Sequence, residues 1–174
     1  MRRLSIMMLS AIILILLSAC QITSIEIIAR ENARVALNLL DEKREDTIEI
    51  EALSYEGWLF NYKREDTELE GYNHFNEELV LYDVHFSEND QDLYALIVYF
   101  YMYDSKEDRE RPDDDAFEIV VFDDKQEYKE EKAIRHETFE TYVASFKDFY
   151  EEDESHIEHD EITFDEEEIK AFIE

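Results

Sequence analysis

Apolar and polar positions alternate with two different periods along this chain, and each change of period marks an element. Ile25, Ile28, Ala29, Ala33, Ala36, Leu37 and Leu40 follow a 3.6-residue rhythm, which predicts a helix over 24–42. Thr23 and Glu26 stand at capping-box spacing, and Ile22 and Ile27 hold the positions of a hydrophobic staple. Ile48, Ile50 and Ala52 then alternate with Glu49 and Glu51, the pattern of a strand with one wet face. Glu56-Gly57 reads as a turn into a second strand, 58–62, and the polar stretch 63–76 reads as loop. Period two returns over 79–86 and 93–103. In the latter, Leu96, Val98, Phe100 and Met102 share one face, and Ile97, Tyr99, Tyr101 and Tyr103 share the other. Both faces are apolar or aromatic, so this strand is expected to be covered on both sides. A fifth strand, 117–122, ends at Asp123-Asp124.

Phe139, Tyr142, Val143, Phe146, Phe149 and Tyr150 return the helical period and predict an amphipathic helix over 130–151. Residues 151–168 hold eleven acidic side chains in eighteen and read as an acidic linker. At its end, Asp165 and Glu168 have capping-box spacing before Ile169, Phe172 and Ile173, a short terminal helix. The order is therefore helix, roughly five strands, amphipathic helix, short helix. This is an α+β chain, and its short connections favour an antiparallel meander with helices packed on one face.

Residues 1–20 fit neither rhythm. Arg2 and Arg3 precede a twelve-residue apolar run, 6–17, interrupted only by Ser10, and small residues follow. This is the layout of an export signal. At about 1.5 Å per residue the run reaches roughly 20 Å, short of the roughly 30 Å hydrocarbon core that a spanning helix must cross. The run closes on Leu17-Ser18-Ala19-Cys20, and Cys20 is the only cysteine of the chain. That tetrapeptide resembles the lipobox of bacterial lipoproteins. The resemblance covers residues 1–20 only. It implies removal of 1–19, a diacylglyceryl group on the sulfur of Cys20, and Cys20 as the mature N-terminus at a membrane facing outside the cytoplasm. Residues 20–23 then form a short tether, and 24–174 form one acidic domain.

Charge narrows the partners. Without residues 1–19 the chain keeps 15 basic and 47 acidic side chains, a net −32. Nucleic acid needs Lys and Arg to displace counterions, and anionic lipid attracts basic segments, so neither is an expected partner of the body. Salt adaptation accounts for such acidity, and so does a basic protein or peptide partner. Eleven Tyr and eleven Phe argue for a packed core, because disordered acidic chains are poor in aromatics.

Candidate chemistry is sparse. Gly57 and Gly71 are the only glycines, too few for a phosphate-cradling loop. Among 47 acids almost any carboxylate spacing occurs by chance, so a carboxylate-dependent hydrolase stays an alternative without a recognisable pair. His156, His159 and Asp160 are candidate metal ligands, since His156 and His159 would share a helix face. A solvated acidic linker is the simpler account of the same residues. Asp113, Asp114 and Asp115 lack the alternating ligand spacing of an EF-hand loop. Tyr99, Tyr101 and Tyr103 form an aromatic row that reads as a ligand surface or, more simply, as a core layer under a helix. Trp58 reads as core, and His74, His85 and His136 have no evident partners. No cofactor is expected beyond the covalent lipid on Cys20, and a surface cation-binding protein stays an alternative beside the hydrolase. The leading expectation is a surface lipoprotein whose acidic domain binds a partner non-covalently.

Overall fold

In the computed structural model the rhythm of residues 25–40 becomes helix α1 (Ser24–Glu42). It is followed by strands β1 (Ile48–Asp66), β2 (Gly71–Glu88), β3 (Gln91–Tyr103) and β4 (Phe117–Phe122), helix α2 (Lys125–Phe149), strand β5 (Ser155–Phe164) and helix α3 (Glu166–Ile173). The structure describes residues 24–66, 71–103, 116–150 and 155–173. Thr23, the whole lipobox with Cys20, and Asp113 to Asp115 lie outside the described residues. Among the described residues no helix is long and apolar enough to cross a membrane.

The chain forms an α+β fold around one five-stranded antiparallel sheet, ordered β4-β3-β2-β1-β5. Its strands differ from the expected ones in three places. First, 48–52 and 58–62 are parts of the single strand β1, and the expected loop 63–76 mostly extends β1 and β2. Glu56-Gly57 makes no turn; Gly57 pairs with Val80 in regular register, without positive φ. Glycine is needed there because the Tyr55 ring folds across it. A Cβ on Gly57 would lie 2.0 Å from the Tyr55 hydroxyl and 2.4 Å from ring carbon Cζ.

Second, the pairing of β1 with β2 slips between Ile50 and Ala52, leaving Glu51 as a bulge. A bulge reverses which residues face which side. Ile48 and Ile50 pack on the same core as Leu53 and Tyr55, while Ala52 turns to solvent instead of continuing the expected apolar row. Third, the expected linker 151–168 contains β5, paired with β1 from Leu53↔Phe164 to Tyr62↔Ser155. Its acids belong to an edge strand, where charge discourages pairing with another chain. The link between β2 and β3 is shorter than expected. Asn89 (φ 53°) and Asp90 (φ 63°) form a two-residue turn with both φ values positive, which matches the twist of the strands it joins.

Helices cover both faces of the sheet, not one as expected. The long β4–α2–β5 crossover carries α2 under the sheet, while α1 and α3 lie on the opposite face. Leu37, Leu40, Val84, Phe86, Ile97 and Ile169 belong to the α1 side. Trp58, Phe60, Leu81, Leu96, Phe139 and Phe146 belong to the α2 side. Each large apolar side chain taken fully from water contributes about 1.5–3 kcal/mol, so both faces are needed to hold a chain this charged. Period-two strands apolar on both faces require this arrangement.

The helix starts follow from their caps. Asp124 accepts hydrogen bonds from the backbone N–H groups of Gln126 (2.7 Å) and Glu127 (2.9 Å), which starts α2 five residues earlier than its apolar stripe suggests. Tyr128 and Lys132 both reach Asp83 of β2, at 2.7 and 2.5 Å, and dock this half of α2 on the sheet. The expected capping box of α3 is present. Asp165 accepts from Glu168 N at 2.9 Å, and Glu168 accepts from Asp165 N at 3.0 Å. Phe149 leaves the stripe of α2 and is 77 % exposed.

Candidate functional site

Three elements converge on an open groove with Trp58 as its floor. The pleat of β1 points Glu56, Trp58 and Phe60 at α2. On β5, His159 lies opposite Trp58, and Glu161 lies opposite Glu56. From α2, His136, Glu140, Val143 and Lys147 follow at helical spacing along the opposite wall. The end nearer Glu56 encloses about 420 Å³. A second stretch of similar volume runs past Lys147 towards Tyr150, Ser155 and Ile157.

Aromatic packing sets the orientation of the two histidines. The His159 ring stacks on Trp58, centroids 4.7 Å apart and 18° between planes. His136 meets Trp58 edge-on at 6.4 Å. Both Nε2 atoms then face the same oxygen, Oε1 of Glu56, at 3.1 Å from His136 and 3.3 Å from His159. Nδ1 of His136 faces Glu140, one turn along α2, at 3.9 Å. The side chain of Glu56 is only 13 % exposed, against 41 % for each histidine, so the carboxylate sits at the bottom of the cluster. Glu56, His159 and Glu161 offer donor atoms that all lie within 4.8 Å of one another.

Only one of the expected metal ligands takes part. In a strand, residues three apart point to opposite faces. His156 and Asp160 therefore lie on the other face from His159 and do not share a helix face with it, although His156 borders the far stretch of the groove beside Ser155 and Ile157. The His156 side chain is 70 % exposed, 3.7 Å from Glu158, and Asp160 accepts a local hydrogen bond from Glu161 N. The true neighbours of His159 come from β1 and α2, at sequence distances no local pattern reveals. His85 also finds acids. Its Nδ1 is 3.2 Å from Glu51 and its Nε2 is 3.9 Å from Asp92, with the ring stacked on Tyr94. That cluster offers one imidazole to two carboxylates.

Of the tyrosine row, Tyr99 lies in the core and not on a surface. Tyr99 is 1 % exposed beneath α1, Tyr101 is half-buried, and Tyr103 is described only through its backbone pairing with Asn76. Tyr99 instead belongs to a polar network that sequence reasoning missed. Glu77 and Glu78 are adjacent, buried, and point to opposite faces of the sheet. Tyr99 donates to Glu78 at 2.7 Å and accepts from the Asn32 amide of α1. On the α2 side, Tyr62 donates to Glu77, and Tyr142 does so at 2.5 Å. Burial, and then the nearby carboxylate, pushes the hydroxyls of Tyr99, Tyr62 and Tyr142 above the ordinary tyrosine range. They stay protonated as donors to the buried acids.

The chain matches no protein-family model, no curated protein and no solved structure.

Proposed function

We propose that this is a lipid-anchored surface protein whose acidic domain binds a basic protein or peptide non-covalently. The observation that carries the anchor is Leu17-Ser18-Ala19-Cys20, with the lone cysteine placed where a short apolar run ends. Helix α1 begins at Ser24, so only three residues separate its start from Cys20. With so short a tether the domain stays close to the bilayer and does not roam on a flexible linker. Acyl chains bound through Cys20 hold it there, since one chain alone anchors marginally and two or more anchor firmly.

Charge supports the partner class. Glu158, Asp160 and Glu161 lie on the edge strand β5, and the acidic first turn of α3 follows directly with Glu166, Glu167 and Glu168. Glu168 is engaged by Arg30 and Glu166 by Lys170. The run concentrates negative potential along one border of the sheet, which speeds encounter with a basic partner.

Replacing Cys20 by serine tests the anchor. The expected result is loss of labelled palmitate and either release of the body or accumulation of uncleaved precursor. Normal processing with unchanged membrane retention refutes it. Binding is tested by presenting the chain to basic extracellular proteins at low and high salt. Capture that fades as salt rises supports the reading, and background capture at low salt refutes it.

A further inference from the structure

We propose that Glu56, His159 and Glu161, with His136 facing the same Glu56 oxygen, bind a divalent transition-metal cation of the zinc class. Three independent features of the groove point to a cation. The first is donor geometry. Zinc–nitrogen and zinc–oxygen bonds of about 2.0–2.2 Å in a tetrahedron place neighbouring donors roughly 3.4 Å apart. The donor atoms of Glu56, His159 and Glu161 all lie within 4.8 Å of one another, and Glu56 Oε1 is 3.3 Å from His159 Nε2, close to that edge length; His136 approaches the set through Glu56, at 3.1 Å.

The second feature is a like-charge pair. Glu56 and Glu161 are direct cross-strand partners on the same face of the sheet. Like charges placed directly opposite destabilise a strand pair unless something of opposite sign lies between them. A divalent cation balances the two carboxylates. The third feature is the outer support. Trp58 fixes the plane of the His159 ring by stacking, and Glu140 stands behind Nδ1 of His136, the position that outer carboxylates take behind ligating imidazoles. Lys147 lines the same groove from two turns further along α2, so the ligand set ends before the groove does.

Imidazole nitrogen selects against calcium and magnesium, which take oxygen ligands, and in favour of zinc and its neighbours in the first transition row. The cluster also separates this site from the diffuse acidity of the chain. No part of the proposal depends on the acyl anchor or on a basic partner. A chain that binds zinc but no basic protein, or a basic protein but no zinc, separates the two readings.

The test is zinc titration of the full-length chain in detergent at neutral pH, with excess calcium present to occupy nonspecific carboxylates. Trp58 is the only tryptophan and touches both histidines, so its emission reports the site directly. The expected result is a single saturating equivalent that changes Trp58 emission. His136→Ala and His159→Ala each weaken it by at least roughly tenfold. His156→Ala, on the same strand but the other face, leaves it unchanged. Cobalt is the second probe, and in the unmodified chain it should give the visible absorption of a tetrahedral nitrogen–oxygen site. This measurement decides the matter even if a histidine variant fails to fold. The proposal is overturned by zinc binding that does not saturate, by binding that both histidine substitutions leave intact, or by a cobalt spectrum of the hydrated ion alone.

Discussion

Replacing Tyr99 by phenylalanine removes one oxygen from the α1-side core, and the surroundings of that oxygen set the cost. It accepts from Asn32 and donates to Glu78, and all three residues are at most 2 % exposed, so water cannot take its place. A neutral hydrogen bond contributes about 0.5–1.5 kcal/mol and one to a charged group about 1.5–3 kcal/mol, so losing both costs about 2–4.5 kcal/mol. In a domain of this size that lowers Tm by roughly 4–18 °C. Tyr82→Phe is the internal comparison. Tyr82 is equally buried, and its hydroxyl donates to a neutral acceptor, the Ala29 carbonyl at 2.7 Å. Its loss costs about 0.5–1.5 kcal/mol.

Urea unfolding followed by Trp58 emission measures both variants, with m-values expected to match the parent. Equal costs for the two variants refute the special weight given to Glu78. A Tyr99→Phe cost below about 0.5 kcal/mol refutes the network altogether. The same residue fixes a pH response. Burial, then Glu78, raises the Tyr99 pKa in the folded state above its unfolded value of 10.0. The contribution is thus fully present below about pH 10 and is lost as pH rises towards the folded value. Tyr99→Phe should flatten that alkaline loss.

Other expectations concern the sheet and its helices. Gly57→Ala drives a methyl group into the Tyr55 ring, which is buried and packed edge-on against Tyr82 at 5.3 Å. A cost of about 1–3 kcal/mol is expected in thermal unfolding, and a neutral substitution shows that the ring moves freely. Arg135 bonds Glu118 of β4 through two nitrogens, at 2.7 and 2.8 Å, and Glu131 of α2 at 2.7 Å. Arg135→Met should cost about 0.5–1 kcal/mol, less at high salt, because the Glu118 side chain is largely exposed. The hydrogen bond from Arg135 lowers the Glu118 pKa, so this contribution exists above about pH 4.5 and is lost as pH falls. An acid-unfolding profile identical in parent and Arg135→Met chains contradicts that coupling.

Some of this architecture was legible because local physics fixes it. The spacing of Ile25 to Leu40 required the helix α1, and its bounds follow the rhythm. The two apolar faces of 93–103 required cover on both sides, and Phe117–Phe122 appears as the expected fifth strand. Asp165 and Glu168 form their cap because capping contacts span only three residues. Local signals failed where a long-range contact outweighed them. Gly57 looked like a turn, yet it is the space that the Tyr55 ring needs. The acids of 155–164 looked like solvated linker, yet they occupy an edge strand, where one side of the ladder faces water.

The sequence by itself determined the α+β class, the ends of α1, the terminal cap and the strongly negative field, together with an N-terminal pattern that resembles a lipoprotein signal. Only the tertiary structure decided which residues meet. His159 belongs with Glu56, 103 positions away, because β5 returns to pair with β1 after α2 has crossed the sheet. His136 joins them because the docking of α2 on Asp83 turns that face of the helix towards Trp58. Periodicity records which side of an element is buried. It carries no information about which distant element provides the burial, and the histidine–glutamate groove depends on that second fact.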